Sequence, residues 1–242
     1  MKSISPKYLG YKLLRKAHYR KALASLNALE KVYATSQQRI RVPFEYRGRG
    51  YFKSIKPMQS LNEITGLYND MISFAPRRVV EIGTCHGGTL YLWCQASSDQ
   101  GQILSIDLPE GEFGGGYHAC RIPLYESFSR NRQKITLLRN NSHAESTFLE
   151  VKRHFDGERI DFLFIDGDHS YAGVKRDFEM YSQLVRPGGR IALHDILIRP
   201  ACPDIEVFRF WQELKVDYPH QEFVEQEPGK QRIGIALIEW PG

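Results

Sequence analysis

From Leu13 to Tyr33 the residues Leu14, His18, Leu23, Leu26, Leu29 and Val32 recur at helical spacing with Lys and Arg between them, which predicts an amphipathic helix. A polar, basic connector follows over 36–50, containing Pro43 and the turn Arg47-Gly48-Arg49-Gly50. Ser60 to Phe74 predicts a second helix: Ser60 and Glu63 have capping-box spacing, and Pro76 stops it. Beyond Pro76 the pattern changes to short apolar runs alternating with helical segments. Arg78–Ile82, Gln102–Asp107, Lys134–Arg139, Ile160–Ile165 and Arg190–Leu193 read as strands, and Thr89–Ala96, Ser142–His154, Ala172–Leu184 and Asp204–Tyr218 as helices. Arg186-Pro187-Gly188-Gly189 reads as the close of the third of these helices. Ile160–Ile165 is apolar except at Asp161, as a central parallel strand requires. Glu222–Glu227 and Arg232–Ile238, separated by Pro228-Gly229, predict an antiparallel hairpin.

Strand–helix alternation predicts an α/β protein, with a doubly wound, seven-stranded, mostly parallel sheet, an antiparallel C-terminal hairpin and an N-terminal helical extension. Two units are expected, a basic helical extension over 1–59 and the α/β domain over 60–242. In such sheets ligands bind beyond the carboxyl ends of the strands.

Composition narrows the setting. No apolar run reaches the roughly 18 residues of a membrane span, and Met1–Gly10 is polar, so a soluble cytoplasmic protein is expected. Cys85, Cys94, Cys120 and Cys202 form no Cys-x-x-Cys pair and are expected to be reduced thiols. The net charge of +5 is unevenly spread: residues 1–56 carry fourteen Lys and Arg against Glu30 and Glu45. A segment of that kind suits an anionic surface: nucleic acid, membrane headgroups or an acidic face of the same protein. The basic helix could also cap a pocket, pair with a second copy in a homo-oligomer, or lie on an anionic membrane, although its apolar face lacks Trp and Phe.

Four landmarks fall at strand carboxyl ends. The first is Glu81-x-Gly83-x-x-x-Gly87, where glycines let a ligand approach the backbone. Its spacing is not that of a dinucleotide fingerprint, and an acid two residues before Gly83 suits a cationic ligand better than a pyrophosphate. Asp107 can accept both hydroxyls of a ribose. Asn140-Asn141-Ser142-His143 offers polar groups to an adenine edge, or a helix cap at Ser142. The fourth is Ile165-Asp166-Gly167-Asp168-His169-Ser170-Tyr171, in which Asp168 reads as the cap of the following helix.

In this order, and followed by Leu184-Val185-Arg186-Pro187-Gly188-Gly189 and His194-Asp195, these segments resemble class I S-adenosylmethionine-dependent methyltransferases. The resemblance runs from about Arg77 to the C-terminus and points to the small-molecule O-methyltransferase branch, which includes catechol-type, macrocin-type and cephalosporin-hydroxylase-like proteins. It implies a Rossmann-like sheet and S-adenosyl-L-methionine as cofactor. Glu81 would lie near the methionine end, with Gly83, Thr84 and Gly87 along the turn, Asp107 on the ribose, Asn141 and Ser142 near the adenine, and Asp166 beside the reacting centre. The acceptor would be a hydroxyl of a small molecule or glycan.

Catechol-type relatives hold magnesium between acids at two strand ends. The matching positions here are Asp166, His194 and Asp195, and His194 departs from the usual oxygen donor, so magnesium or another divalent cation is expected alongside a metal-free alternative with histidine as base. His169 is the candidate base, with Asp166 and Asp195 as its catalytic partners. Leu108 to Tyr117 reads as a lid, and Tyr117 and Arg121 as acceptor contacts. The rival functions are a nucleic-acid methyltransferase docked by the basic N-terminus, disfavoured because no Asn/Asp-Pro-Pro-Tyr/Phe motif is present, and a non-catalytic binding protein on the same fold.

Overall fold

Each face of the sheet carries its own core, because alternate residues of a strand point to opposite sides. The computed structural model describes residues 6–111, 116–225 and 233–242, with side chains from Leu14 onward. Helix α1 spans Pro6–Val32, and a short α2, Val42–Glu45, follows a 3-10 turn. Then come α3 (Leu61–Phe74), β1 (Arg78–Ile82), α4 (Gly88–Ala96), β2 (Gln102–Ile106), α5 (Ile122–Glu126), β3 (Lys134–Leu138), α6 (Glu145–His154), β4 (Ile160–Ile165), α7 (Tyr171–Tyr181), β5 (Val185–His194), α8 (Val207–Leu214), β6 (His220–Phe223) and β7 (Ile235–Trp240). The sheet order is β3-β2-β1-β4-β5-β7-β6. Strands β1 to β5 are parallel, and β7 runs antiparallel to both β5 and β6. This is the expected mostly parallel, doubly wound, seven-stranded sheet.

Val79 of β1 and Phe162 and Phe164 of β4 join the core under α3 and α4, with Trp93 packed edge-on against Phe162 and tilted against Phe164. Val80, Leu163 and Ile165 join the opposite core, with Val151 of α6, Phe178 of α7 and Trp211 of α8. Ser60 caps α3 as anticipated: its hydroxyl accepts from the Glu63 N–H, and the Glu63 carboxylate accepts from the Ser60 N–H.

Several boundaries differ from the sequence pattern. Arg186-Pro187-Gly188-Gly189 does not close a helix but lies inside β5, where the pairing register with β4 shifts and Gly188 takes φ +70°. Pro187 costs no ladder bond there because the irregularity opens the pairing. Helix α7 instead ends through a 3-10 turn, Ser182–Leu184, and α8 is shorter than the 204–218 expected. Ser142 does not cap α6, which begins at an Ala144 N-cap with no side-chain bond. Asp168 does not cap α7 either: Ser170 does, through Gly173 N–H, and Asp168 accepts from the backbone N–H and the hydroxyl of Ser170. The expected hairpin exists as β6–β7, and its Pro228-Gly229 turn lies outside the described residues.

Described residues of the N-terminal segment, from Ala22 to Ile55, share the core of the sheet. Ala22, Leu26, Ile40, Val42, Tyr46, Phe52 and Ile55 pack with Ile64, Leu67 and Tyr68 of α3 in one cluster. The predicted stripe of α1 is buried only in its middle; Leu14 and Val32 are 59% and 67% exposed. Leu26→Ala is therefore expected to cost about 2–5 kcal/mol of unfolding free energy, as for other buried leucines. Urea denaturation would measure it, and a loss below about 1 kcal/mol would mean that α1 docks loosely. No helix among the described residues is long and apolar enough to cross a membrane.

Candidate active site

The carboxyl ends of β1, β2, β3 and β4 are tied to one another by backbone bonds that place the landmark residues side by side. Gly83 N–H donates to Ile106, Asp107 N–H to Leu138, and Asp166 N–H to Ile82. Gly83 adopts φ +98°, and a Cβ there would stand 2.0 Å from the Asp166 carbonyl oxygen. Only glycine lets the turn after β1 pass this close to the end of β4.

Beyond these ends lies a cavity of about 550 Å³, within the usual range for small-molecule sites. Gly83, Asp107, Asn141, Ser142, Asp166, His169, His194 and Asp195 all line it. Asp107 is buried, which pushes its carboxyl up, while the N–H groups of Cys85 and Gly116 (2.6 and 2.7 Å) favour the charged form. Of the anticipated lid, Leu108, Glu110 and Gly111 line the cavity; residues 112–115 lie outside the described residues.

Glu81, Thr84 and Gly87 do not line it. Glu81 is fully buried on the α4 side, where its oxygens accept from Trp93 Nε1 (2.9 Å) and the Ser105 hydroxyl (2.5 Å). Thr84 is buried with its hydroxyl 2.6 Å from that of Ser105. Gly87 takes φ +81° as the N-cap of α4, and a Cβ there would meet the Tyr125 ring. Glu81 points away because it alternates along β1 with Val80 and Ile82, which face the other side.

Burial raises the Glu81 carboxyl to about 7, against the hydrogen bonds from Ser105, Thr89 and Trp93. The folded protein thus binds this proton more tightly than the unfolded chain, and the contribution to stability is lost as pH rises from about 4.5 to about 7. Glu81→Gln keeps acceptor and donor roles toward Trp93 and Ser105. It is expected to flatten that pH dependence and to stabilise the protein at pH 8 by about 3 kcal/mol. Thermal melts of both proteins across pH 4–8 would test this; parallel curves would refute it.

At the ends of β4 and β5 the ionisable groups interlock. His169 Nδ1 is 2.8 Å from Asp195 Oδ2, and His169 Nε2 is 3.5 Å from Asp166 Oδ1. Arg199 donates to Asp195 Oδ1 at 2.9 Å. Burial alone would lower the His169 pKa, but the Asp195 hydrogen bond and the charge of Asp166 outweigh it and hold the imidazolium above the ordinary range. The two histidines and Arg199 hold the Asp195 carboxyl well below the usual range despite its burial. Asp195 itself takes φ +62°, a left-handed conformation that aspartate tolerates better than most residues.

His194 lines the same cavity, with Nδ1 3.5 Å from Asp195 Oδ2. It is almost fully buried, with Nδ1 2.9 Å from Asp166 Oδ1 and Nε2 3.6 Å from Glu63 Oε1. Despite burial, the surrounding carboxylates raise its pKa well above the ordinary value. Among the described residues, donor atoms of Asp166, His169 and Asp195 lie within 4.8 Å of one another, while His194, anticipated with Asp166 and Asp195, faces the same two carboxylates through Nδ1. Two carboxylates and one imidazole fit a divalent cation of mixed nitrogen and oxygen preference better than magnesium.

Two buried residues complete the site without having been singled out for it. Gln59 Nε2 donates to Asp166 Oδ2 at 2.8 Å. Glu63, legible only as a cap, also accepts from Gly234 N–H at 2.8 Å and faces His194. Tyr117 and Arg121, expected at the acceptor, line a separate cavity. All four cysteines are unpaired.

Residues 80–196 match the family model described as a methyltransferase domain, a span that holds the ends of β1, β2, β4 and β5 and every site residue anticipated from the sequence. Protein y4gI of Sinorhizobium fredii is 27% identical over 168 residues, which are 68% of this chain and 17% of that protein. Protein R132 of Acanthamoeba polyphaga mimivirus is 32% identical over 123 residues, 48% of this chain and 50% of that protein. The chain thus spans half or less of the curated relatives it matches. Among solved structures, cofactor-bound Rv0187 from MTB aligns with TM-score 0.54 and 15% identity, over 99% of both chains. The O-methyltransferase TomG of Streptomyces achromogenes, involved in tomaymycin synthesis and solved with S-adenosylmethionine, aligns with TM-score 0.53 and 16% identity, over 93% of this chain and 99% of that one. At these identities the likeness is one of fold alone.

Proposed function

We propose that this chain, whose residues 80–196 match a methyltransferase domain on a class I fold, transfers the methyl group of S-adenosyl-L-methionine to a hydroxyl of a small molecule or glycan. The observation that carries this reading is one acid-rich cavity in which Asp107, at the end of β2, and the His169–Asp195 pair, beyond β4 and β5, face the same space. The bound cofactor supplies an electrophilic methyl on a sulfonium; a cavity lined by Asp107, Glu110, Asp166, Asp168 and Asp195 suits that positive charge.

Asp107 accepts the ribose hydroxyls, Gly83 lets the cofactor lie against the backbone, and Asn141 and Ser142 border the adenine. Asp195, fixed by Arg199, accepts a hydrogen bond from Nδ1–H of His169 and thereby sets the tautomer. Nε2 of His169 is then the nitrogen that takes the acceptor proton. With the cofactor bound, the acceptor oxygen so deprotonated would take the methyl carbon as the carbon–sulfur bond breaks, leaving a neutral thioether.

A second reading has one specific observation in its favour, the convergence of Asp166, His169 and Asp195. These residues would hold a divalent cation, which would lower the pKa of the acceptor hydroxyl. Calorimetric titration with S-adenosylmethionine tests the main reading, and no binding at about millimolar cofactor, a concentration at which even weak sites fill, would overturn it. Activity lost to a chelator and restored by manganese would establish the second reading; activity indifferent to chelators leaves His169 as the base.

A further inference from the structure

A second cavity, of about 570 Å³, lies between α1, the turn after β1 and the segment leading into α5. Its chemistry is the reverse of the first. Arg15, Lys53, Arg121, His18, His86 and His118 line it, and no carboxylate does among the described residues. The two cavities meet at Cys85, which lines both, and its N–H is bonded to Asp107.

Arg121 shows how deliberately positive this pocket is. It is only 7% exposed, and its guanidinium donates to the carbonyls of Tyr51, Ser54 and His86 and to the Tyr125 hydroxyl. No carboxylate lies within ion-pair distance of it among the described residues. Neutral oxygens satisfy its hydrogens but leave its charge uncompensated at the pocket wall. Burial and the nearby Arg121 and Lys53 push the His86 pKa down, as expected where cations crowd without an acid. The His118 ring lies 4.5 Å from that of Tyr51, and its Nδ1 accepts from the Cys120 N–H, so its Nε2 is the protonated nitrogen.

We infer that this cavity holds the phosphate end of a phosphorylated small-molecule acceptor. The inference rests on the methyl-transfer reading above: the acid-lined cavity takes the sulfonium cofactor, and the base-lined cavity on the other side of Cys85 takes the anionic end of the molecule to be methylated. Arginine and lysine provide the charge-assisted donors that phosphate oxygens require.

The test is calorimetric titration of the full chain with inorganic pyrophosphate at low salt, with and without saturating S-adenosylhomocysteine. Saturable binding, one per chain and indifferent to S-adenosylhomocysteine, is expected. The double variant Arg15→Gln/Lys53→Gln should weaken it about tenfold or more, as loss of two charged contacts implies, with S-adenosylmethionine affinity and melting temperature unchanged. A wild-type chain that binds S-adenosylmethionine but not pyrophosphate would overturn this inference and leave the methyl-transfer reading standing. So would equal pyrophosphate binding by the variant, or its displacement by S-adenosylhomocysteine, which would put the anion in the first cavity. Sedimentation with phosphatidylserine vesicles that pyrophosphate fails to suppress would also overturn it, because the basic face would then serve a membrane surface.

Discussion

His169→Ala is expected to lower kcat by about 10²–10⁴-fold while the affinity for S-adenosylmethionine changes little, the usual effect of removing a general base that does not bind the cofactor. The pH profile separates this role from a structural one. The Asp195 contact and the Asp166 charge overcome burial and raise the His169 pKa, so the working neutral ring accumulates only as pH rises past the ordinary histidine value. In the wild type kcat/KM should climb through that ionisation and then level; in the variant the climb should disappear. Single-turnover methyl transfer across pH 6–9 would read both. A loss below about threefold, less than a single proton-transfer catalyst contributes, would remove His169 from the chemistry.

Asp107→Ala is expected to weaken S-adenosylmethionine binding about 100-fold. Two charge-assisted hydrogen bonds to ribose hydroxyls are together worth about 3 kcal/mol, and 1.4 kcal/mol is tenfold. The same carboxylate also receives the N–H groups of Cys85 and Gly116, so a melting curve must accompany the titration. A folded variant that binds within about threefold of the wild type, well under the value of one such bond, would take Asp107 out of the ribose contact.

Most strands were legible because their apolar runs are short, β-branched and bounded by glycine, proline or acids. Those signals are local. Val185–Gly189 was misread because Arg-Pro-Gly-Gly carries turn chemistry that a bulge beside β4 absorbs. That Asp107, Asp166, His169 and Asp195 line one cavity was legible because each directly follows a strand or nearly so. That Glu81 is buried on the α4 side was not legible, because position in a strand does not reveal which face a side chain takes until the neighbouring layer is known; Trp93 and Ser105 decide it. The burial of His194 against Glu63 was not legible for a related reason, since Glu63 comes from α3, far away in sequence. Gln59 had no signal at all, being one polar residue in a loop whose reach to Asp166 depends on tertiary packing.

The interleaved end of the sheet has a consequence for how the protein is made. Strand β5 carries His194 at its tip and pairs on one side with β4, but its other neighbour is β7, residues 235–240. A ribosome that has released everything up to β6 has therefore produced a sheet with β5 bare along one edge, in a run as apolar as Ile191-Ala192-Leu193. Bare apolar edges recruit other strands. Glu63 is also still without the Gly234 N–H that it later accepts. Until residues 235–240 are released, that edge of β5 lacks the strand that covers it in the folded sheet.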